Sequence, residues 1–278
     1  MNYFCSDIHG AAQAYFAMKE KLVLKSNDNL YILGDVFDGN NTDPEACFDI
    51  LRDIMAHDNI RLILGDHEYA HIMYYLSMGH PEEERTWEEF LTDPGFQGQA
   101  LHRHILRHLT KKEADRYFGF LLECNMSEVA VIGGKQFYMV HGSPQLNMGS
   151  PERWQYDVVM NGIDLGKDYA SEIASDPDMA TFSKYYKDLN PAKMIVLCGH
   201  IPTKQVFMRD PALLSVCYPE EDYPRLQKVI FQNKKMMLDC GCQGNSFGRD
   251  VGGWVGDLVC IGADAAGFFP VHLSEQYF

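Results

Sequence analysis

Short apolar runs, each followed by glycine and polar residues, recur through the first part of the chain. The first three runs are residues 3–5, 30–33 and 60–64. Runs of this length between turn residues are typical of buried strands. Apolar residues recur at helical spacing between them, most clearly after Asp43, which would cap a helix that has Pro44 at its first position. The alternation predicts strands and helices in turn over residues 1–77, with parallel strands and right-handed crossovers.

The pattern changes to charged helices over residues 79–124. Thr110 and Glu113 have the spacing of a capping box, so one of these helices is expected to begin there. We expect this block to be a helical, cap-like insertion within a single domain that spans residues 1–278.

A second group of strands is predicted in the later part of the chain. Residues 128–140 indicate a β-hairpin around Gly133 and Gly134. Residues 142–192 are rich in turn-forming residues and weakly periodic. Short apolar runs then predict the strands of a second sheet. These runs are residues 206–208, 229–231, 235–239, 257–261 and 267–271.

Potential metal ligands follow five predicted strands, namely the first three, the second strand of the hairpin and a further apolar run at residues 194–197, and each ligand segment contains a glycine. The ligands are Asp7 and His9, then Asp35, Asp66, His141 and His200. Buried strands of an α/β sheet present their carboxyl ends to a shared crevice. We therefore expect these side chains to converge in space although they are scattered along the sequence.

The overall charge limits the kinds of partner. The chain has 24 Lys+Arg against 39 Asp+Glu and a formal net charge of −15 at pH 7. This charge argues against a general affinity for nucleic acid or for anionic membranes. An anionic substrate remains compatible with it, because bound metal ions reverse the local field.

Cysteine usage and the start of the chain bear on the compartment. The eight cysteines include no CxxC pair and lie mostly in apolar segments, which predicts reduced core thiols. The chain begins directly in a predicted strand rather than in a signal peptide. No apolar stretch approaches the roughly 18 residues that a membrane span needs. We therefore expect a cytoplasmic protein.

The ligand types fit a pair of divalent ions. Two ions about 3.5–4 Å apart need a bridging carboxylate, for which Asp35 is the natural candidate. Asp7 and His9 project to the same side of an extended segment and are expected to bind one ion. The other ion would be held by Asp66, His141 and His200. Mixed nitrogen and oxygen ligands suit Mn, Fe or Zn better than Ca, and we expect Mn, with Fe or Zn as alternatives.

Such an ion pair suits the hydrolysis of phosphate esters. It lowers the pKa of a bound water to roughly 7 and polarises phosphoryl oxygens. The leaving alcohol then needs a proton. His67 follows a predicted ligand and Asp38 lies three residues after the predicted bridge, so an imidazole and carboxylate pair is predicted as the general acid.

Together these segments resemble the calcineurin-like metallophosphoesterase superfamily, in particular its branch of phosphoprotein phosphatases and symmetrical diadenosine tetraphosphate hydrolases. The family motifs DxHG, GDxxDRG, GNHE, HG and a later GH correspond to residues 7–10, 35–39, 65–68, 141–142 and 199–200. The family's closing DTGC and Leu-containing strands resemble residues 238–242 and 258–261. The resemblance implies an α/β fold, a two-sheet β-sandwich flanked by helices, with a dinuclear metal centre. It also implies ligand roles for the same six residues and a proton-donor role for His67, steered by Asp38.

The chain departs from the family pattern at two positions. Gly39 stands where the family has the arginine that binds the phosphate, and Arg153, Arg249 and Lys204 are candidates to replace it. Asp66 stands where the family has asparagine. An additional carboxylate predicts tighter metal retention and a more basic bound water.

The predicted function is a dinuclear metal-dependent phosphoesterase, most like a bacterial Ser/Thr protein phosphatase, with a phosphoprotein or nucleotide as substrate. One alternative is a hydrolase of dinucleoside polyphosphates. A second is a non-catalytic metal-binding module, which the missing arginine favours and the presence of His67 and Asp38 opposes.

Overall fold

A computed structural model describes residues 1–37, 43–79, 110–143, 165–166, 190–203, 205–206, 230–242, 257–264 and 268–275. Its strands are β1 (Asn2–Cys5), β2 (Asn29–Leu33), β3 (Ile60–Ile63), β4 (Ser127–Ile132), β5 (Lys135–Val140), β6 (Met194–Cys198), β7 (Ile230–Gln232), β8 (Lys235–Met237), β9 (Asp257–Ala263) and β10 (Phe268–Glu275). Its helices are α1 (Ala12–Leu22), α2 (Pro44–Met55), α3 (Asp66–Gly79) and α4 (Lys111–Glu123), and a short 3-10 helix spans Pro191–Lys193.

The first sheet has the strand order β10-β9-β1-β2-β3. β1, β2 and β3 are parallel, as the alternation of strands and helices predicts, whereas β9 and β10 are antiparallel to their neighbours. The predicted start of α2 is confirmed, because the Asp43 side chain accepts a hydrogen bond from the backbone N–H of Glu45 and Pro44 follows the cap.

The second sheet has the order β4-β5-β6-β8-β7. Its hairpin β4-β5 is confirmed, and both Gly133 and Gly134 have the positive φ that this turn requires. β5, β6 and β8 are parallel, and β7 is antiparallel to β8.

Three predictions about the late strands are wrong. The predicted runs 257–261 and 267–271 fall on strands, but these are β9 and β10 (Phe268–Glu275) of the first sheet, where Ile261 pairs with Phe4. An apolar run predicts a strand and not the edge with which it pairs. Val206 lies in a helical turn instead of a strand, because the N–H of Gln205 bonds back to the carbonyl of Pro202. Residues 207 and 208 lie outside the described residues.

The two sheets pack face to face. One apolar cluster contains Phe4 and Leu33 of the first sheet together with Phe137 and Leu197 of the second. The rings of Phe4 and Phe137 are stacked with centroids 5.9 Å apart. The opposite face of the first sheet packs against helices, since Cys5 belongs to a separate cluster that contains residues of α1, α2 and α4. The fold is therefore the predicted α/β sandwich of two mixed sheets with flanking helices.

Helix α4 packs into the core of the first sheet. Its buried residues Tyr117, Phe118 and Leu121 belong to the cluster that covers the helical face of that sheet. The predicted capping box is confirmed, since Thr110 and Glu113 exchange both hydrogen bonds. The remainder of the predicted insertion, residues 80–109, lies outside the described residues, so a cap-like role stays a prediction.

No disulfide joins the cysteines that the structure describes. Six of them are buried, and Cys124 is half-buried. This agrees with the prediction of reduced core thiols; Cys217 lies outside the described residues. Among the described helices, none combines the length and the apolar character that a bilayer crossing demands.

Candidate metal centre

The segments that follow β1, β2, β3, β5 and β6 bring the six predicted ligands together. Among the described residues, potential ligand atoms form three overlapping groups, and the atoms of each group lie within 4.8 Å of one another. The groups are Asp7, Asp35 and His141; Asp66, His141 and His200; and His9, Asp35 and His67. Asp35 and His141 each belong to two groups, so the three form one continuous cluster.

Four of the predicted ligands have a left-handed backbone. The φ angles are +54° at Asp7, +48° at His9, +56° at Asp35 and +69° at His200. This conformation costs a non-glycine residue about 1–2 kcal/mol, and such strain is concentrated at functional sites. The turns that aim these side chains at one point are therefore formed at a cost to stability.

Backbone carbonyls orient two of the histidines. His9 Nδ1 lies 3.1 Å from the carbonyl oxygen of Phe37, and His141 Nδ1 lies 2.7 Å from that of Leu33. A carbonyl only accepts hydrogen bonds, so Nδ1 carries the proton in each ring. When the ring is neutral, its Nε2 has a free lone pair directed at the cluster, as a metal ligand requires.

The carboxylate of Asp7 is fixed from two sides. The Ser6 hydroxyl contacts Asp7 Oδ2 and also lies 2.9 Å from the carbonyl oxygen of Leu33. The backbone N–H of His200 donates to Asp7 Oδ1 over 3.1 Å. Because Asp7 follows β1 and His200 follows β6, this contact joins the two sheets at the centre.

Two glycines provide space for ligands that come from other segments. A Cβ atom at Gly65 would lie 2.1 Å from Asp35 Oδ1, and one at Gly199 would lie 2.0 Å from Asp7 Oδ2. Neither distance is compatible with a side chain. The glycine before Asp66 therefore makes room for Asp35, and the glycine before His200 makes room for Asp7.

The electrostatics of the cluster favour a bound cation. Burial, followed by the charge of Asp239, raises the pKa of Asp7 well above its usual value. Burial and the charges of Asp66 and Glu68 likewise raise the pKa of Asp35. A cation between these carboxylates would relieve their repulsion. Together with the imidazole nitrogens, this donor set fits a divalent transition metal.

Asp66 is the carboxylate on which two histidines converge. His141 Nε2 lies 2.9 Å and His200 Nδ1 3.0 Å from the same Oδ1. Burial raises the pKa of Asp66, but these two hydrogen bonds outweigh it and hold the pKa well below its usual value. Burial lowers the pKa of His141, but the bond to Asp66 and the charge of Asp7 raise it to about 9.

His67 lies at the edge of the cluster. Its Nε2 is 3.7 Å from Asp35 Oδ2, and its ring meets that of His9 edge-on with centroids 5.0 Å apart. Its Nδ1 is buried and has no hydrogen-bond partner within the part of the chain that the structure describes. Its predicted partner Asp38 lies outside the described residues, as do the candidate phosphate-binding residues Arg153, Lys204 and Arg249.

Two buried carboxylates beside the centre had no role assigned from the sequence. Glu68 accepts hydrogen bonds from the backbone around Asp35, and its position as the third residue of α3 is the signal of a helix-capping glutamate. Asp239 follows β8, and its Oδ1 accepts a hydrogen bond from the N–H of Gly241. Burial raises the pKa of Asp239 to about 6. Only its place in a family-like closing segment pointed to Asp239.

Several solved structures align along nearly the whole chain at low identity. One described as a "putative diadenosine tetraphosphatase" is 14% identical, with 97% of this chain and 92% of that chain covered and a TM-score of 0.49. A hypothetical protein from Pyrococcus horikoshii OT3 is 14% identical, with coverage of 99% and 89% and a TM-score of 0.47. A metallophosphoesterase from Sphaerobacter thermophilus is 15% identical, with coverage of 98% and 89% and a TM-score of 0.44.

The family comparison is more direct. No curated protein sequence matches the chain. The family model described as calcineurin-like phosphoesterase matches residues 3–233, which is most of the chain. The matched range contains His67 and all six predicted ligands. The chain therefore belongs to the calcineurin-like phosphoesterase family, whose members depend on metal ions.

Proposed function

We propose that this chain hydrolyses phosphoric monoesters at a dinuclear metal centre, acting on phosphorylated serine or threonine in proteins. The observation that carries the proposal is the overlap of the three ligand groups, because Asp35 and His141 each belong to two of them. A shared carboxylate between two sets of donors is the arrangement that a pair of ions needs.

Each ion would have its own set of ligands. Asp7, His9 and Asp35 would hold one, with His9 Nε2 3.7 Å from Asp7 Oδ1 and 3.8 Å from Asp35 Oδ2. The second would be held by Asp35 with Asp66, His141 and His200. Bound divalent ions, which we propose to be manganese, activate a water molecule and polarise the phosphoryl oxygens.

We assign His67 as the general acid that protonates the leaving oxygen. Its Nε2 faces the cluster, 3.7 Å from Asp35 Oδ2. Its buried Nδ1 lacks a partner within the described ranges, which is where the carboxylate of Asp38 would bond. An imidazole held at one nitrogen and facing substrate with the other is the usual form of a histidine acid.

The proposal also names residues that bind the phosphate, the partners that the charge disfavours and the cellular location. Arg153, Arg249 and Lys204 are proposed as substitutes for the arginine absent at Gly39. A net charge of −15 opposes binding to nucleic acids and membranes. The buried cysteines, which form no disulfide among the described residues, support a reducing, cytoplasmic location.

The first experiment measures hydrolysis of an aryl phosphate with added Mn, Zn or Mg. We expect metal-dependent turnover that His141→Ala lowers at least about a hundredfold, because this residue belongs to two ligand groups. His57→Ala is the control, since His57 is an exposed histidine after α2. A chain that binds two ions and turns over no phosphate ester would contradict the proposal and favour a non-catalytic module.

The second experiment identifies the substrate class. Phosphopeptides, mononucleotides, diadenosine polyphosphates and cyclic nucleotides are compared by kcat/KM under the best metal. The proposal predicts the highest kcat/KM for phosphopeptides. A preference of at least about tenfold for diadenosine polyphosphates would replace the protein phosphatase assignment with that of a dinucleoside polyphosphate hydrolase.

A further inference from the structure

We propose that Glu68 is a positioning residue of the metal centre, which holds the backbone from which the bridging Asp35 projects. The inference rests on the proposed metal centre and adds to it a residue that contacts neither ion nor substrate. It follows from the hydrogen bonds of one buried carboxylate.

Glu68 is fully buried and accepts four backbone N–H groups. Its Oε2 accepts from Asp35 over 2.8 Å and from Gly65 over 2.9 Å. Its Oε1 accepts from Val36 over 2.8 Å and from Phe37 over 3.1 Å. These are charge-assisted bonds, about twice as strong as bonds between neutral groups.

Helix capping explains only one of the four bonds. A glutamate at the third position of a helix commonly accepts the N–H of the cap residue, which here is Gly65. The other three donors belong to the segment after β2, far from α3 in sequence. Capping needs only Oε2, which accepts the N–H of Gly65. Both hydrogen bonds to Oε1 come from the segment after β2.

The same three residues are held through their carbonyl groups by the segment after β1. The carbonyl of Asp35 accepts the N–H of His9, and the carbonyl of Val36 accepts the N–H of Gly10, both over 2.8 Å. The carbonyl of Phe37 lies 3.1 Å from the ring Nδ1 of His9. All three N–H groups therefore donate hydrogen bonds to the Glu68 carboxylate. All three carbonyls contact the segment that carries His9.

This arrangement connects Glu68 to two ligands. It stabilises the left-handed backbone of Asp35, whose φ is +56°, directly. It also holds the backbone N–H of Phe37, the residue whose carbonyl contacts the ring Nδ1 of His9. Removing the carboxylate would release Asp35 and His9 together while leaving the donor atoms of both side chains intact.

The test replaces the carboxylate with an amide of the same size. In Glu68→Gln one oxygen becomes an NH2 group. This group would face two backbone N–H donors, from which it cannot accept a hydrogen bond. The control is Glu113→Gln, because Glu113 is the third residue of α4 and accepts the N–H of the cap residue Thr110 over 2.9 Å. Both substitutions disturb a helix start, but only Glu68 lies beside the centre.

Manganese affinity, ion stoichiometry and the electron paramagnetic resonance spectrum of bound manganese are the readouts. For Glu68→Gln we expect affinity to fall about 10- to 100-fold, as for other residues that support metal ligands. We also expect the spectrum of a coupled ion pair to change to that of separate ions. Glu113→Gln should leave both unchanged, even where its melting temperature falls.

Unchanged affinity and an unchanged spectrum in folded Glu68→Gln would overturn the proposal and leave Glu68 as a capping residue. If that variant does not fold, Glu68→Asp is subjected to the same criteria, since it keeps the charge and shortens the reach. Metal binding is read directly, so two bound ions without hydrolysis would contradict the proposed function and leave this test intact. A parent chain that binds no divalent ion would overturn both.

Discussion

One oxygen of Asp66 lies within hydrogen-bonding distance of two histidines, whereas the histidines near Asp35 Oδ2 lie 3.7 and 3.8 Å away. His141 and His200 both contact Oδ1, at 2.9 and 3.0 Å. Asparagine at this position would keep the oxygen and lose the charge. In the proposed centre, the additional negative charge would offset part of the charge of the ions and would weaken their effect on a bound water.

The first prediction concerns the pH dependence of Asp66→Asn. With one carboxylate fewer, the ions lower the pKa of the water further, so the acid limb of the pH–rate profile should move to lower pH. The dissociation constant for manganese should rise about tenfold. Asp49→Asn, at an exposed position on α2, serves as the control. An acid limb that does not move would show that the charge of Asp66 has no such effect.

The second prediction separates two roles for His67, which lies in one of the ligand groups and is proposed as the acid. For His67→Asn we expect kcat to fall about 10²–10⁴-fold on a phosphopeptide. The loss should be much smaller on 4-nitrophenyl phosphate, because its leaving 4-nitrophenolate is a weak base that can depart without a proton. The bound manganese is counted in the same preparation. A loss of one ion would assign His67 as a ligand instead.

The third prediction concerns Gly199. Alanine there would place a Cβ atom 2.0 Å from Asp7 Oδ2, so Asp7 must move. We expect Gly199→Ala to weaken manganese binding by at least about tenfold, measured by calorimetry. Gly119→Ala is the matched control, because it also replaces a glycine with alanine, here inside α4. The added Cβ atom has no heavy atom within 4 Å. The control should bind manganese normally and gain about 0.5–1 kcal/mol in stability. Equal binding by both variants would argue against the steric role of Gly199.

At the scale of elements, local signals in the sequence were reliable. The cap at Asp43, the capping box at Thr110 and the turn at Gly133 each depend on residues within four positions of one another, and all three are present. Strand pairing is not local. β9 lies against β1 because the first sheet has an open edge there, and the apolar run of β9 contains no information about that edge.

The fourth prediction tests the packing of α4 against the first sheet. Leu121 is 1% exposed and lies in the core cluster, whereas its neighbour Leu122 is 49% exposed. Leu121→Ala should lower the free energy of unfolding by about 2–5 kcal/mol, and Leu122→Ala should change it by about 0.5 kcal/mol or less. Denaturant unfolding measures both. Similar losses in the two variants would mean that α4 does not pack against the first sheet through Leu121.

For the whole molecule, the order of the predicted ligands along the chain is sufficient to predict a shared site. The strand ends that carry Asp7, Asp35 and His141 belong to two sheets, and parallel strands from both sheets end at the cluster. The bonds of Glu68 were not predictable, because they require the three-dimensional approach of α3 to the segment after β2. The supporting carboxylate was therefore found only in the structure.

The fifth prediction follows from the origin of the ligands in both sheets. Ions held between them bind the folded chain in preference to the unfolded one and so stabilise it. At free manganese about 100 times the dissociation constant, each site should add about 2.7 kcal/mol to the free energy of unfolding. Chelation should remove this gain.

His200→Ala provides the comparison for that measurement. His200 follows β6 and its side chain is 18% exposed, so its removal should affect the metal-free chain less than it affects the metal-dependent gain. Denaturant unfolding at several manganese concentrations gives both quantities. If saturating manganese left the stability of the parent unchanged, the ions would not be held by the folded arrangement, and the ligand set drawn from two sheets would be wrong.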